Sequence, residues 1–266
     1  TRSNTASTSA TTLSDRGGPP PRAARGPSLA ERWRALGKTR ALIPYLTAGF
    51  PTRESSRDAL RRVAAAGADI VEVGVPFSDP LADGPTIQRT TQTALEQGMT
   101  LPRVLELIHE AALEVPVVIM TYLNPVLALG VERFIHDAVE AGVAGVLLTD
   151  LPAGADEVVE QAVTSSSLSL IRLVAPTTDD RRLLTAVKGA SGFVYLISRL
   201  GVTGARDSVP TDLEHHVGRI RAVTRLPIVV GFGISSPAQA QAAAPVADPV
   251  VVGRALMDAL ASGGRG

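Results

Sequence analysis

Asp69-Ile70-Val71-Glu72-Val73-Gly74-Val75 is a run of apolar, mostly β-branched residues interrupted by a single acid. Its apolar residues are nearly continuous and do not alternate with polar ones. That is the pattern of a strand covered on both faces, as in parallel sheets. Working outward, runs of the same kind recur at Ala41–Thr47, Val117–Tyr122, Gly145–Thr149, Leu168–Val174, Phe193–Ile197, Ile228–Gly231 and Val250–Val252. The intervals between them carry helical spacing. Val131, Phe134, Ile135, Ala138 and Val139 fall on one face, and Ala155, Val158, Val159, Ala162 and Val163 repeat the pattern. Helix starts are also marked. Ser28 with Glu31, and Thr211 with Glu214, read as capping boxes; Gly37 closes the first helix, and Ser236 before Pro237 opens a late one. Eight strand–helix alternations make either a closed barrel or an open doubly wound sheet. No G-x-G-x-x-G follows the first strand, which disfavours the dinucleotide-binding sheet. The expected fold is α/β, a single-domain (β/α)8 or TIM barrel over residues 28–266 with a short helix before its first strand.

Composition agrees. The 266 residues suit one such barrel, and with 45% hydrophobic but only 3% aromatic residues the core must be aliphatic. Lys plus Arg and Asp plus Glu number 26 each, so no global field exists to grip nucleic acid or an anionic membrane. Cysteine is absent, which excludes thiol nucleophiles, disulfides and cysteine-based metal sites. No apolar run approaches the ~20 residues of a membrane span, and a cytoplasmic location is expected. Residues 1–27 differ in kind. Ser, Thr, Arg, Gly and Pro dominate, with Pro19, Pro20 and Pro21 adjacent, and such a segment cannot offset its ordering entropy. The Ser/Thr/Arg bias superficially suits a transit peptide, but no amphipathic Arg-bearing helix is seen. A disordered extension is expected.

In a barrel, chemistry sits at the carboxyl ends of the strands and phosphate at the loops after strands seven and eight. Glu72 lies inside the second strand, on the face of Ile70 and Gly74. Either face of a barrel strand is covered, so this carboxyl is desolvated, which raises its pKa toward that of a general acid or base. The alternative is a structural carboxylate paired with a basic group. Asp83 follows in a loop of turn formers able to bring a second carboxyl back toward the first; its alternative is an Asx turn or helix cap. Asp79 before Pro80 reads as a turn residue or a partner contact. Glycine-rich loops follow strand six (Ser198 to Gly204), strand seven (Gly231-Phe232-Gly233) and strand eight (Gly253-Arg254). Glycines let backbone amides approach an anion, and three such loops in one barrel point to a phosphorylated ligand.

The stretch Val71-Glu72-Val73-Gly74-Val75-Pro76-Phe77-Ser78-Asp79-Pro80-Leu81-Ala82-Asp83-Gly84-Pro85-Thr86-Ile87-Gln88 resembles the signature of the tryptophan synthase alpha subunit family, and the similarity extends from about Leu42 to about Leu256. The resemblance implies a lyase that cleaves indole-3-glycerol phosphate by retro-aldol chemistry to indole and glyceraldehyde 3-phosphate, in tryptophan biosynthesis. It implies Glu72 as acid–base catalyst and Asp83 as the partner of the indole nitrogen. Phosphate contacts fall on Gly204, Phe232, Gly233, Gly253 and the residue at Arg254, where many family members carry Ser. The Arg254 guanidinium either adds a charge-assisted phosphate bond or is a solvated side chain on the last helix. Substrate-lining positions are Tyr45, Thr47, Tyr122, Tyr195 and Thr203, with Asn124 at the end of strand three. Phe193, where a second tyrosine is common, would keep an apolar wall for indole. Asp150 either positions Thr203 or caps the next helix. No cofactor is implied in this chain; pyridoxal phosphate belongs to a beta-subunit partner in an alpha-beta-beta-alpha tetramer, which touches Pro76–Pro80 and the loop from Ser198.

His109, His136, His215 and His216 all fall on expected outer helices, so metal binding and histidine catalysis are not expected. The pairs Arg61-Arg62 and Arg181-Arg182 read as solvated helix faces. Three rival readings stand beside the alpha subunit. A free-standing lyase would release indole without a beta partner. A phosphosugar isomerase would need a histidine, lysine or metal at the mouth, and none is found. A regulatory binder would have no need of a buried carboxyl.

Overall fold

The structure is a computed structural model that describes residues 26–37, 41–197, 212–231, 234, 236–243 and 245–263. Eight parallel strands close into a barrel in chain order: β1 (Ala41–Thr47), β2 (Val71–Gly74), β3 (Val117–Thr121), β4 (Val143–Leu148), β5 (Ser169–Val174), β6 (Val194–Ile197), β7 (Ile228–Gly231) and β8 (Pro249–Val252). Helix α1 (Leu29–Leu36) precedes them, and α2 (Arg53–Ala65) follows β1. Two helices follow β2, α3 (Pro85–Glu96) and α4 (Leu101–Ala111), and two follow β3, α5 (Leu123–Leu129) and α6 (Val131–Glu140). The remaining strands are followed in turn by α7 (Glu157–Thr164), α8 (Asp180–Ala186), α9 (Leu213–Arg221), α10 (Pro237–Ala243) and α11 (Arg254–Ala261). The expected disordered extension lies outside the described residues, apart from its last two positions.

Each strand divides its side chains between two apolar layers. Val71, Val73, Val117, Ile119, Val146 and Leu148 pack outward with the helices, as do Val194, Leu196, Ile228 and Val230 on the other side. Ile43, Tyr45, Ile70, Val118, Leu147, Ile171, Tyr195, Val229 and Val251 fill the barrel interior. The alternation settles the direction of Glu72: it shares a face with Ile70, so it points inward. Strand β4 begins earlier than its apolar run suggested, because a register shift between Val117 and Val118 lets Val143 pair with β3.

Helix α1 closes the amino end. Its capping box is formed: Ser28 Oγ accepts from the Glu31 amide at 3.3 Å, and the Ser28 amide donates to Glu31 Oε2 at 2.8 Å. Gly37 ends it at φ 60°, where its amide donates to Trp33 O. The wholly buried Leu29 enters the barrel beside Gly192, where a Cβ would stand 2.6 Å from Leu29 Cδ1. Trp33 meets Phe193 edge to face, with ring centroids 6.2 Å apart.

Several helix readings change in the structure. Val159 and Val163 are buried, but Val158 is 77% exposed and Ala155 lies before the helix. Helix α7 starts only at Glu157, because Asp156 Oδ1 takes the Val158 and Val159 amides. Thr211 lies outside the described residues, and α9 opens on Asp212 without a side-chain cap. Ser236 does cap α10, its hydroxyl accepting from the Gln239 amide at 3.2 Å. Arg61 is not merely solvated: its guanidinium donates to the carbonyls of Glu110 and Ala111 at the end of α4. Arg62, Arg181 and Arg182 are exposed as expected, and the four histidines lie on α4, α6 and α9.

Candidate active site

Glu72 sits in the second layer of β2, between Tyr45 of β1 and Val118 of β3 in the strand register. It is 1% exposed, and among the described residues neither carboxyl oxygen has a hydrogen-bond partner. A structural ion pair is therefore not its role. Burial, and then the charge of Asp83, push its pKa up to about 8. An unbonded carboxyl in that environment holds its proton at neutral pH.

Asp83 is carried back over the mouth by a tight loop in which its amide donates to Pro80 O at 3.0 Å. It does not cap the following helix, since Gly84 is the N-cap of α3 and Pro85 the first helical residue. Its backbone carbonyl accepts from Gln88 Nε2 at 2.9 Å, which fixes the loop to α3. The side chain is 7% exposed. Burial raises its pKa to about 6, against the opposing pull of a hydrogen bond donated by Tyr122 Oη at 3.4 Å. Tyr122 is itself held by the Ala82 amide, which donates to its oxygen at 3.0 Å, and by Phe77, whose ring centroid is 5.0 Å away.

Tyr45 and Tyr195 reach the same space from β1 and β6. Both are buried, and burial followed by the nearby carboxyls raises both phenols well above their ordinary value. Each lies across a strand-end glycine: a Cβ on Gly74 would stand 2.0 Å from Tyr45 Oη, and one on Gly231 would stand 1.9 Å from Tyr195 Oη. No side chain fits at either glycine while its tyrosine is in place. Gly74 and Gly231 are thus as much a part of the site as the tyrosines. The sequence reading missed this use, although a glycine closing an otherwise β-branched strand is its signal.

Thr47 stands beside Tyr45, but its hydroxyl is engaged with Thr90 of α3 at 2.8 Å. Asn124 is exposed on α5 and does not end a strand. Phe193 lies in the barrel interior, edge to face with Trp33 and with its ring centroid 6.4 Å from that of Tyr195. Asp150 caps a helix, though the preceding one: its Oδ1 accepts from the Leu123 amide of α5 at 2.7 Å. Of the expected anion contacts, Gly253 is the N-cap of α11 and packs on Tyr45: a Cβ there would stand 3.1 Å from Tyr45 Cδ1. Arg254 is the first residue of α11 and half-buried. Thr203, Gly204, Phe232 and Gly233 lie outside the described residues. Among the described residues no group of three or more His, Asp or Glu could hold a metal ion.

A carboxyl that keeps its proton near neutrality, beside one that is ionised there, supplies a proton donor and an anion in one cavity. The fold and this pair define an acid–base enzyme built on a (β/α)8 barrel, with its chemistry at the carboxyl ends of the strands. Known proteins narrow the class. A family model described as tryptophan synthase alpha chain matches residues 34–265. The tryptophan synthase alpha chain of Gluconacetobacter diazotrophicus is 48% identical over 223 residues, covering 83% of this chain and 81% of the relative. That of Picosynechococcus is 45% identical over 241 residues, covering 89% and 91%. Among solved structures, a Mycobacterium tuberculosis tryptophan synthase chain matches with a TM-score of 0.82 at 39% identity, covering 89% of this chain and 92% of that one. The tryptophan synthase alpha subunit of Legionella pneumophila matches at 0.80 and 33%, covering 88% of each. The chain belongs to the tryptophan synthase alpha chain family.

Proposed function

We infer that this chain is the lyase subunit of tryptophan synthase, which cleaves indole-3-glycerol phosphate to indole and glyceraldehyde 3-phosphate. The observation that carries the reading is the Glu72 carboxyl, wholly buried, unbonded and facing Asp83. In the reaction Glu72 gives its proton to indole C3, which places positive charge on the ring nitrogen. Asp83, ionised, stabilises that charge through the indole N–H. The Glu72 carboxylate then takes the proton of the glycerol hydroxyl beside the bond that breaks. The electron pair of that carbon–carbon bond returns to the ring and neutralises the nitrogen, the hydroxyl carbon becomes the aldehyde, and Glu72 is protonated again. Tyr45, Thr47, Tyr122, Tyr195 and Thr203 line the substrate. Gly204, Phe232, Gly233, Gly253 and Arg254 hold its phosphate, with the α11 N-terminus adding favourable dipole. This chain uses no cofactor for these steps.

The proposal includes a beta-subunit partner that carries pyridoxal phosphate, in an alpha-beta-beta-alpha assembly. Leu81, Leu127 and Val158 support it. They are exposed by 92%, 48% and 77% on the segments that follow β2, β3 and β4, large apolar side chains left facing solvent after three successive strands. No observation favours a free-standing lyase. A phosphorylated substrate does not cross a bilayer unaided, which supports a cytoplasmic location, and among the described residues no helix is long and apolar enough to span one.

Glu72→Gln tests the assignment. It keeps shape but cannot transfer a proton, so the expected result is loss of cleavage by at least about 100-fold in kcat with substrate affinity retained. Turnover near that of the unaltered chain would remove Glu72 from the role.

A further inference from the structure

Asp83 is held by its backbone from both sides. Its amide donates to Pro80 O at 3.0 Å, and its carbonyl accepts from Gln88 Nε2 at 2.9 Å. That carbonyl lies one residue outside the helical ladder of α3, whose first bond runs from the Gln88 amide to Gly84 O at 2.9 Å. Gln88 thus takes successive carbonyls, Gly84 O with its main chain and Asp83 O with its side chain. Helix side chains lean toward the N-terminus, so a Gln in the first turns of α3 points back at the residues that precede the helix. Its neighbours offer no substitute, since Gly84 has no side chain to cap with and Pro85 has no amide hydrogen. With both polar groups of its main chain bonded, Asp83 keeps little freedom beyond the torsions of its side chain, and the residue is 7% exposed.

We propose that Gln88 is a positioning residue for the cleavage reaction: through the Asp83 carbonyl, it keeps the Asp83 carboxylate at the place where the indole N–H meets it. The proposal rests on the reading of Asp83 as the anion that stabilises charge on that nitrogen. An electrostatic partner of this kind is effective only if it is aimed before the charge develops. A misplacement of about 1 Å can cost on the order of 100-fold in rate. The other hold on the loop is Tyr122, whose Oη accepts from the Ala82 amide at 3.0 Å and donates to Asp83 Oδ2 at 3.4 Å. The second of these is long for a hydrogen bond to a carboxylate, so Tyr122 tethers the carboxyl loosely. The shorter bonds that fix Asp83 are those to its backbone. Without the Gln88 donor, the peptide between Asp83 and Gly84 is free to turn, and the carboxyl moves off the nitrogen toward solvent.

The test is steady-state cleavage of indole-3-glycerol phosphate by the full chain. Gln88→Met keeps side-chain length and helix propensity but has no donor. The expected result is a kcat lower by roughly tenfold, with KM within about twofold. Gln88→Glu, equal in shape but without a donor when ionised, carries the same expectation should Gln88→Met fail to fold. In an Asp83→Asn background, Gln88→Met costs no more than about twofold, because the group it positions is already lost. An unaltered kcat, whatever happens to KM or stability, would mean that Gln88 only packs. A tenfold loss that persists in the Asp83→Asn background would mean that it acts by another route. Either overturns the proposal. Where the Asp83→Asn chain turns over too slowly for this cycle, the pH profile of kcat/KM decides. The ionisable groups facing Asp83 are Glu72 of β2, Tyr45 of β1, Tyr195 of β6 and Tyr122 after β3. Burial holds the Asp83 carboxyl at about 6, so its release toward solvent in Gln88→Met moves the acid limb to lower pH, toward the ordinary 3.8. A limb that stays in place sinks the positioning role. If Asp83→Asn turns over as fast as the unaltered chain, the reading of Asp83 fails; if it is slow and Gln88→Met is not, only the role of Gln88 fails.

Discussion

Glu72 has a cost as well as a use. Its pKa stands at about 8 in the folded chain against an ordinary 4.5, and that of Asp83 at about 6 against 3.8. The folded state therefore binds these protons more tightly than the unfolded state does. Their contribution to stability is fully present below the ordinary carboxyl values and is lost as pH rises, for Asp83 up to about 6 and for Glu72 up to about 8. Within the Glu72 window the slope is about 1.4 kcal/mol per pH unit at most. Urea unfolding should show Glu72→Gln gaining stability over the unaltered chain from about pH 5 to about pH 8, since Gln has no proton to lose. A constant difference across that range would mean that Glu72 is not held protonated by the fold. Arg254 is the other residue open to direct measurement. If its guanidinium bonds the substrate phosphate, Arg254→Ser weakens substrate affinity by roughly tenfold, the worth of one charge-assisted hydrogen bond. An unchanged affinity would leave only its backbone amide in the site.

At the scale of elements, sequence was read well where local chemistry decides and less well where neighbours do. The Ser28–Glu31 box formed as expected because both partners lie within one turn. The β1 and β7 runs match their strands from end to end, because an apolar run between turn formers has little else to become. Val158 was misplaced because helical spacing tells which residues share a face, but not whether the first turn of α7 is covered. For Asp150 the sequence leaves two roles open, positioning Thr203 or capping the helix that follows; in the barrel the amide it meets belongs to α5, 27 residues back along the chain. Helix α1 carries a prediction of its own. Leu29 closes the barrel floor at 0% exposure, so Leu29→Ala should destabilise the chain by about 2–5 kcal/mol. Chemical denaturation would measure it, and a loss under about 1 kcal/mol would show that the floor is not sealed by this side chain.

For the whole molecule, the rim of the mouth bears on how the enzyme is used. Exposed Leu81 lies two residues before Asp83, so whatever covers Leu81 also bears on the loop that carries the second carboxyl. Adding a tryptophan synthase beta subunit should raise indole-3-glycerol phosphate turnover by an order of magnitude or more, and Leu81→Asp should reduce that gain while leaving the isolated chain folded, since charge at an apolar contact is costly. Turnover indifferent to the beta subunit would favour the free-standing lyase instead.

Legible in the residues alone were the strand–helix alternation, the face that Glu72 shares with Ile70 and Gly74, and the family signature from Val71 to Gln88. These are matters of period, composition and local spacing, and they are written within a few residues of one another. It took the closed barrel to show that Glu72 has no basic partner among the described residues, that Gly74 and Gly231 make room for two tyrosines, and that the Thr47 hydroxyl is engaged by Thr90 of an outer helix. Each of those depends on groups brought together by barrel closure. Whether a buried polar atom is bonded, and in which direction, is a property of the neighbours that the closed fold supplies.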